Sequence, residues 1–354
     1  MSRSSALKSR RFRAAALAAS ALAVVIPQVS SAVVDHGGSP AAARSAAVPA
    51  SGFPTFVHLP ADQAAHPSAT EEWWYTVGHV SARGHEYGYE VQLVSAGVAE
   101  LAIDDVTAGK YYTQQVFYQP GQFSVSATKL DVRLPDATLS GPLHAMHLTA
   151  TLPQARLDLR LNAKGPVLYD NGTGLFPFLK GSSYYYSLPD LQTSGTVTIG
   201  RKTSKVTGQS WLDRQWGTWD WTQLHRWTWM AIQLRNGESI NLWDLFSTQG
   251  EQRWATVLHR DGSESLASIS PVAKHATRFA TSPTTHQRYA GKWIVEIPSL
   301  KTRLTVTATP TLQEIQARLP FTPGIDEAAS TATGTYQGKR TTGQAFVEQF
   351  GIWK

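Results

Sequence analysis

The 354 residues contain no cysteine, which excludes disulfides, thiolate catalysis, thiolate metal sites and a lipoprotein anchor, and leaves burial as the source of stability. No HExxH occurs and the eleven histidines show no close ligand spacing, so no metal centre is expected. Glycine is too sparse in "NGTGLF" for a dinucleotide loop. In "GQSWL" Leu212 stands where a G-x-S-x-G elbow needs its second glycine, against a serine hydrolase. Apart from one N-terminal stretch no long apolar run is present, and that stretch is too short to span a bilayer. Positive charge is scarce as well. The formal charge of +6 includes Arg3, Lys8, Arg10, Arg11 and Arg13, and without them about +1 remains. A chain so near neutrality has no field that would draw it to nucleic acid or to an anionic membrane.

Those five cations form a basic n-region ahead of the apolar "AAALAASALAVVI", and Ser30-Ser31-Ala32 offers small residues for cleavage. Residues 1–32 therefore read as a signal peptide, and the chain as exported, periplasmic or secreted. The twin arginine of "SRRFRAA" is similar to a Tat signal with its phenylalanine one place early, which leaves Sec and Tat both open. Residues 33–52 are rich in Ala, Ser, Pro and Gly without periodicity and read as a flexible linker.

From Phe53 onward apolar and polar residues alternate, as in "YGYEVQLV", "RLDLRLN", "WIVEIP" and "RLTVTATP", between turns such as "SARG", "RNGE" and "YQGKR". Period two is the mark of antiparallel sheet. An all-β fold is predicted, and the length fits two barrels of roughly 150 residues each, since closure removes exposed strand edges. The hairpin "HVSARGHEYGYEVQLV" has a loose echo in "IQLRNGESINLWDLF", which hints at duplication.

The densest stretch is "SWLDRQWGTWDW", Ser210 to Trp221, with four of the chain's twelve tryptophans. On a strand, Trp211, Asp213 and Gln215 share one face while Leu212, Arg214 and Trp216 share the other. The pleat prevents Asp213 and Arg214 from simply pairing, so each needs another partner or a ligand. In an aromatic pocket desolvation keeps a carboxyl protonated near neutral pH, ready to donate, and indole faces stabilise the cation that results. The bland alternative has Asp213 paired with a distant arginine and the tryptophans in the core. In "TEEWWYTVGHV", Glu72 and Trp74 share one face and repeat the acid-plus-indole pairing. In "SYYYSLPDL", Tyr184 and Tyr186 share a face with Tyr185 opposite, which offers two phenols to a barrel mouth.

Together "TEEWWYTVGHV", "GYEVQLV", "SYYYSLPDLQTSGTVTI", "VTGQSWLDRQWG" and "WTWMAIQLRNGESINLW", in that order, resemble the family of carotenoid 1,2-hydratase (hydroxyneurosporene synthase) and the AttH-like exported proteins. The resemblance implies two lipocalin-like β-barrels packed together, 53–222 and 223–354. It further implies cofactor-free chemistry on an isoprenoid or lipid-like ligand: hydration of an alkene through a carbocation, isomerisation or cyclisation. Asp213 would be the acid, with Trp211, Arg214, Trp216, Glu72, Trp74, Tyr184 and Tyr186 contacting the ligand. Trp211 stands where tyrosine is expected in the hydratases. The competing expectation is a non-catalytic lipid carrier with the same aromatic lining.

Overall fold

In the computed structural model the described residues are 54–310, 312–316 and 324–351. The signal peptide and linker expected from the sequence lie outside them. The described chain is mostly strand, arranged as two curled antiparallel sheets that make two lipocalin-like barrels, with one small two-stranded sheet besides. Among the described residues no helix is long and apolar enough to cross a membrane.

The first sheet starts with a meander, Glu71–Ala82, His85–Val94, Val98–Asp105 and Lys110–Phe117, and ends with the long hairpin Gly181–Ile199 and Lys202–Thr218. Its last strand pairs with its first. The second sheet repeats this order. Leu224–Leu234, Ser239–Ser247 and Gly250–Leu258 form its meander, and Ile325–Tyr336 with Lys339–Gly351 its closing hairpin, whose final strand again pairs with the first. The two echoing sequence hairpins thus occupy equivalent places in two sheets of one design.

Burial along the strands separates two kinds of surface. Met146–Thr151, Lys292–Ile297 and Thr302–Ala308 alternate between buried and more accessible residues, as strands do when one face lines a core and the other meets water. By contrast Val98–Asp105, Ser210–Gly217 and Ser239–Leu245 are buried at nearly every position. Their inner faces line the barrel cores, rich in Leu and Val. The outer faces of the last two contribute to a third core, a seam between the barrels that gathers eight of the twelve tryptophans: 73, 211, 219, 221, 227, 229, 243 and 254. Aromatic side chains suit such a seam, since each covers a large area and prefers the edge-to-face contacts seen here. The backbones come close at Gly88, where a Cβ would lie 2.4 Å from the Cβ of Ala329 in the other barrel.

Candidate active site

Strand Lys202–Thr218 holds both halves of the question raised by its sequence, because its two faces look into different cores. The face bearing Leu212, Arg214 and Trp216 looks into the first barrel. There Arg214, fully buried, donates through Nη2 to Glu72 Oε1 at 2.5 Å and to the Ala64 carbonyl at 2.6 Å. Its guanidinium lies 3.9 Å from the Trp74 ring centroid and 5.0 Å from that of Trp216. His66 stacks on Trp216 at 4.2 Å and shares Glu72 Oε1 at 2.9 Å. Tyr184 stacks on Trp216 as well, and Tyr186 meets it edge-on. Burial alone would raise the Glu72 carboxyl, but the hydrogen bond with His66 and the charge of Arg214 reverse this and hold it below its ordinary value. The result is a closed ion pair with its hydrogen bonds largely met.

The opposite face carries Trp211 and Asp213 into the seam. Directly across the sheet from Asp213 stand Ser187 on one side and Tyr75 on the other, and opposed residues share a face. Asp213 is 3% exposed. Its Oδ1 accepts from Ser187 Oγ at 2.6 Å and from Trp211 Nε1 at 2.5 Å, and its Oδ2 accepts from the Tyr185 hydroxyl. From the second barrel, Asn241 Nδ2 reaches Tyr185 Oη at 3.0 Å and Ser187 Oγ at 3.3 Å, while Asn241 Oδ1 accepts from Trp229 Nε1 at 3.2 Å. No cation is among these partners. Burial pushes the Asp213 carboxyl up to about 7, and the three donors only moderate that rise.

The seam holds further carboxyl groups. Tyr75 donates to Glu327 Oε2 at 2.6 Å and Trp227 Nε1 to Glu348 Oε1 at 2.9 Å. The fully buried Glu90 has no cation and no side-chain donor among the described residues, and only the backbone amide of Gln92 works against its burial. Burial first, and then repulsion from neighbouring carboxylates, Glu100 among them in each case, pushes Glu90, Glu327 and Glu348 well above the ordinary carboxylate range. On the other face of the same strand as Glu327, toward the second barrel's own core, Asp326 accepts from the Gln313 backbone amide and from Gln349 and is pushed up by burial to about 7. Among the described residues no group of carboxylates and histidines has the arrangement of a metal site. An open surface groove of about 730 Å³ lies elsewhere, at the end of the second barrel, lined by Arg235, Asn236, Arg340 and Thr341 among others. Its residues are not those of the seam, so the chemistry and the groove are separate features.

The structure thus divides the expected residues between two sides of one sheet. Glu72, Trp74, Tyr184, Tyr186, Arg214 and Trp216 come together inside the first barrel, and Trp211 with Asp213 lies in the seam. Tyr185, the middle tyrosine of its triplet, is the phenol that meets Asp213. Asn241, Ser187 and Tyr75 also belong to this site, and the sequence pattern alone does not single them out. For Asn241 a signal is nevertheless present: it is the one amide within the apolar strand "SINLWDLF".

Two barrels joined by an acid-bearing aromatic seam define a two-domain lipocalin-like protein. The AttH-like family model matches residues 53–351, and the chain belongs to that family. It is 25% identical over 319 residues to the dehydratase asqC of Emericella nidulans, covering 84% of this chain and 89% of that protein. Kievitone hydratase of Fusarium solani subsp. phaseoli is 29% identical over 124 residues, 31% of this chain and 35% of that one. Among solved structures, an AttH protein of Nitrosomonas europaea superposes with a TM-score of 0.75 at 22% identity, covering 87% of this chain and all of that one. Kievitone hydratase of Nectria haematococca superposes with a TM-score of 0.73 at 18% identity, covering 87% and 97%.

Proposed function

We propose that this protein is an exported, cofactor-independent lyase of the hydratase or dehydratase kind, acting on a hydrophobic small molecule of isoprenoid or lipid-like character, with Asp213 as its acid. The observation that carries the reading is a buried carboxyl with neutral donors and no counter-ion, in a seam of indole rings. A carboxyl near pKa 7 is half protonated at neutral pH, where a general acid works best. The surrounding aromatic faces suit a carbocation formed by protonating an alkene, or by losing water from an alcohol. Relatives named as a dehydratase and a hydratase support the same reaction class in its two directions. The basic and apolar N-terminus supports export.

The test is incubation of the protein with a lipophilic extract in heavy-oxygen water, followed by mass spectrometry. Incorporation of the label by the wild type, lost in Asp213→Asn while ligand-induced quenching of tryptophan fluorescence persists, is the expected result. A fully active Asp213→Asn variant would remove Asp213 from the mechanism. The second reading, a non-catalytic carrier, is favoured by the aromatic filling of the seam; it predicts quenching with no change in ligand mass.

A further inference from the structure

The hydrogen-bond polarity around Asp213 is fixed from the second barrel. Trp229 Nε1 can only donate, and it meets Asn241 Oδ1, so the amide nitrogen of Asn241 is the atom that faces Tyr185 and Ser187. An amide nitrogen offers no lone pair. Neither hydroxyl can therefore give its hydrogen to Asn241, and with Asp213 ionised both give theirs to the carboxylate.

Protonation of Asp213 has two places to go. Oδ1 already faces two donors, and one of them, the Trp211 indole, cannot reverse its bond. Oδ2 faces only Tyr185, whose hydroxyl can turn from donor to acceptor. The proton accordingly settles on Oδ2 and points at Tyr185 Oη. That oxygen then accepts from Asp213 and from Asn241 together, which occupies both lone pairs. Its own hydrogen must then leave the carboxyl, on a ring whose aromatic neighbours Phe176 and Trp243 have centroids 6.4 and 6.1 Å from that of Tyr185.

We propose that Tyr185 is the group that hands the proton to the ligand, with Asp213 behind it as the proton's source and Asn241 as the positioning residue that sets the direction of transfer. The inference rests on the reading of Asp213 as the acid. In hydration the Tyr185 O–H bond breaks as a C–H bond forms at the alkene carbon, and the Asp213 proton moves onto Tyr185 in the same event. The phenol stays neutral and Asp213 becomes the carboxylate. Solvent water then adds its oxygen to the carbocation and releases one proton, which returns through Tyr185 to Asp213. Dehydration runs the same steps backwards, with the proton delivered to the leaving hydroxyl. Concerted relay also avoids a buried phenolate, which desolvation and the Asp213 charge strongly disfavour.

The relay is tested on the whole protein without a substrate. Infrared difference spectra between wild type and Asp213→Asn follow the carboxylic C=O stretch of Asp213 with pH. Ultraviolet resonance Raman differences between wild type and Tyr185→Phe report whether the phenol donates or accepts. The expected result is that Tyr185 changes from donor to acceptor over the same pH range in which the Asp213 C=O band appears. A phenol that remains a donor while that band appears overturns the relay and leaves Asp213 as the acid. Absence of any Asp213 titration across neutral pH removes the acid reading and the relay with it. Asn241→Asp, which replaces the donor by an acceptor, is expected to hold Tyr185 as a donor at every pH. A normal switch in that variant overturns the role of Asn241.

Discussion

Arg214 and Asp213 are sequence neighbours, both withdrawn from water, at 0% and 3% exposure, yet their surroundings differ in kind. Arg214 has a carboxylate, a carbonyl and two indole faces around it. Asp213 has three neutral donors and no opposite charge. A buried charge with a counter-ion is locked, since either partner alone would be stranded. A buried acid with only neutral donors can exchange its charge for a proton at modest cost. The inner face of the strand therefore holds a fixed charge, and the outer face a carboxyl that can take up or release a proton.

The sharpest way to break this contrast is Arg214→Met. Glu72 would be left buried without its cation, and loss of one partner of a buried pair costs about 3–5 kcal/mol. Urea unfolding at neutral pH measures it. Arg214→Met combined with Glu72→Gln is expected to recover part of the loss, because no stranded charge remains.

A second prediction concerns two buried carboxyls, Asp213 in the seam and Asp326 facing the second barrel's core. Asp213 and Asp326 start from an unfolded value of 3.8 and rise to about 7 in the fold, so between those limits the folded state holds protons that the unfolded state has released. Stability contributed by such groups is complete below pH 3.8, declines as pH rises through the interval, and is lost above about 7. A tenfold difference in proton affinity between the folded and unfolded states corresponds to about 1.4 kcal/mol. Unfolding free energy should therefore fall with pH across this window, and Asp326→Asn should flatten the slope. A slope unchanged in that variant would mean that Asp326 does not carry its proton in the folded state.

Much of the architecture is legible in the period-two patterning, because alternation is a local property of each strand. The separation of Asp213 from Arg214 is legible for the same reason. The seam is not. Continuous burial in Ser210–Gly217 and Ser239–Leu245 arises when a second barrel covers the outer face, which depends on how two sheets dock. Without that docking, Glu72 and Tyr186 look like neighbours of Asp213, and Tyr185 looks like the odd tyrosine of its triplet. The phenol expected at position 211 is instead supplied to the same carboxyl by the adjacent strand.

Docking itself is tested at Gly88. A valine there would drive its side chain into Ala329, since even a Cβ would lie at 2.4 Å. Overpacking of this kind costs about 1–3 kcal/mol. The loss should come with increased tryptophan exposure to a soluble quencher, because most of the indoles lie in the seam. Equal destabilisation without that exposure would place the strain inside the first barrel.

The smallest effect expected at low pH belongs to the substitution that separates the two faces most cleanly. In Asp213→Asn the amide oxygen can keep the hydrogen bonds from Ser187 and Trp211, and the amide nitrogen can donate to Tyr185 where the protonated carboxyl would. The variant therefore copies the neutral form of the site. Below pH 3.8, where the carboxyl is protonated in the folded and the unfolded chain alike, its unfolding free energy should stay within about 1 kcal/mol of wild type, in the range of a single neutral hydrogen bond. As pH rises from there to about 7, only the unfolded wild type releases the proton, so wild type loses stability that the variant keeps, and above that interval the variant stays the more stable by a constant amount. Curves that coincide in acid and diverge over this interval would mark Asp213 as a proton carrier. Parallel curves would mean that it is held in one state throughout, as Arg214 is on the other face of the strand.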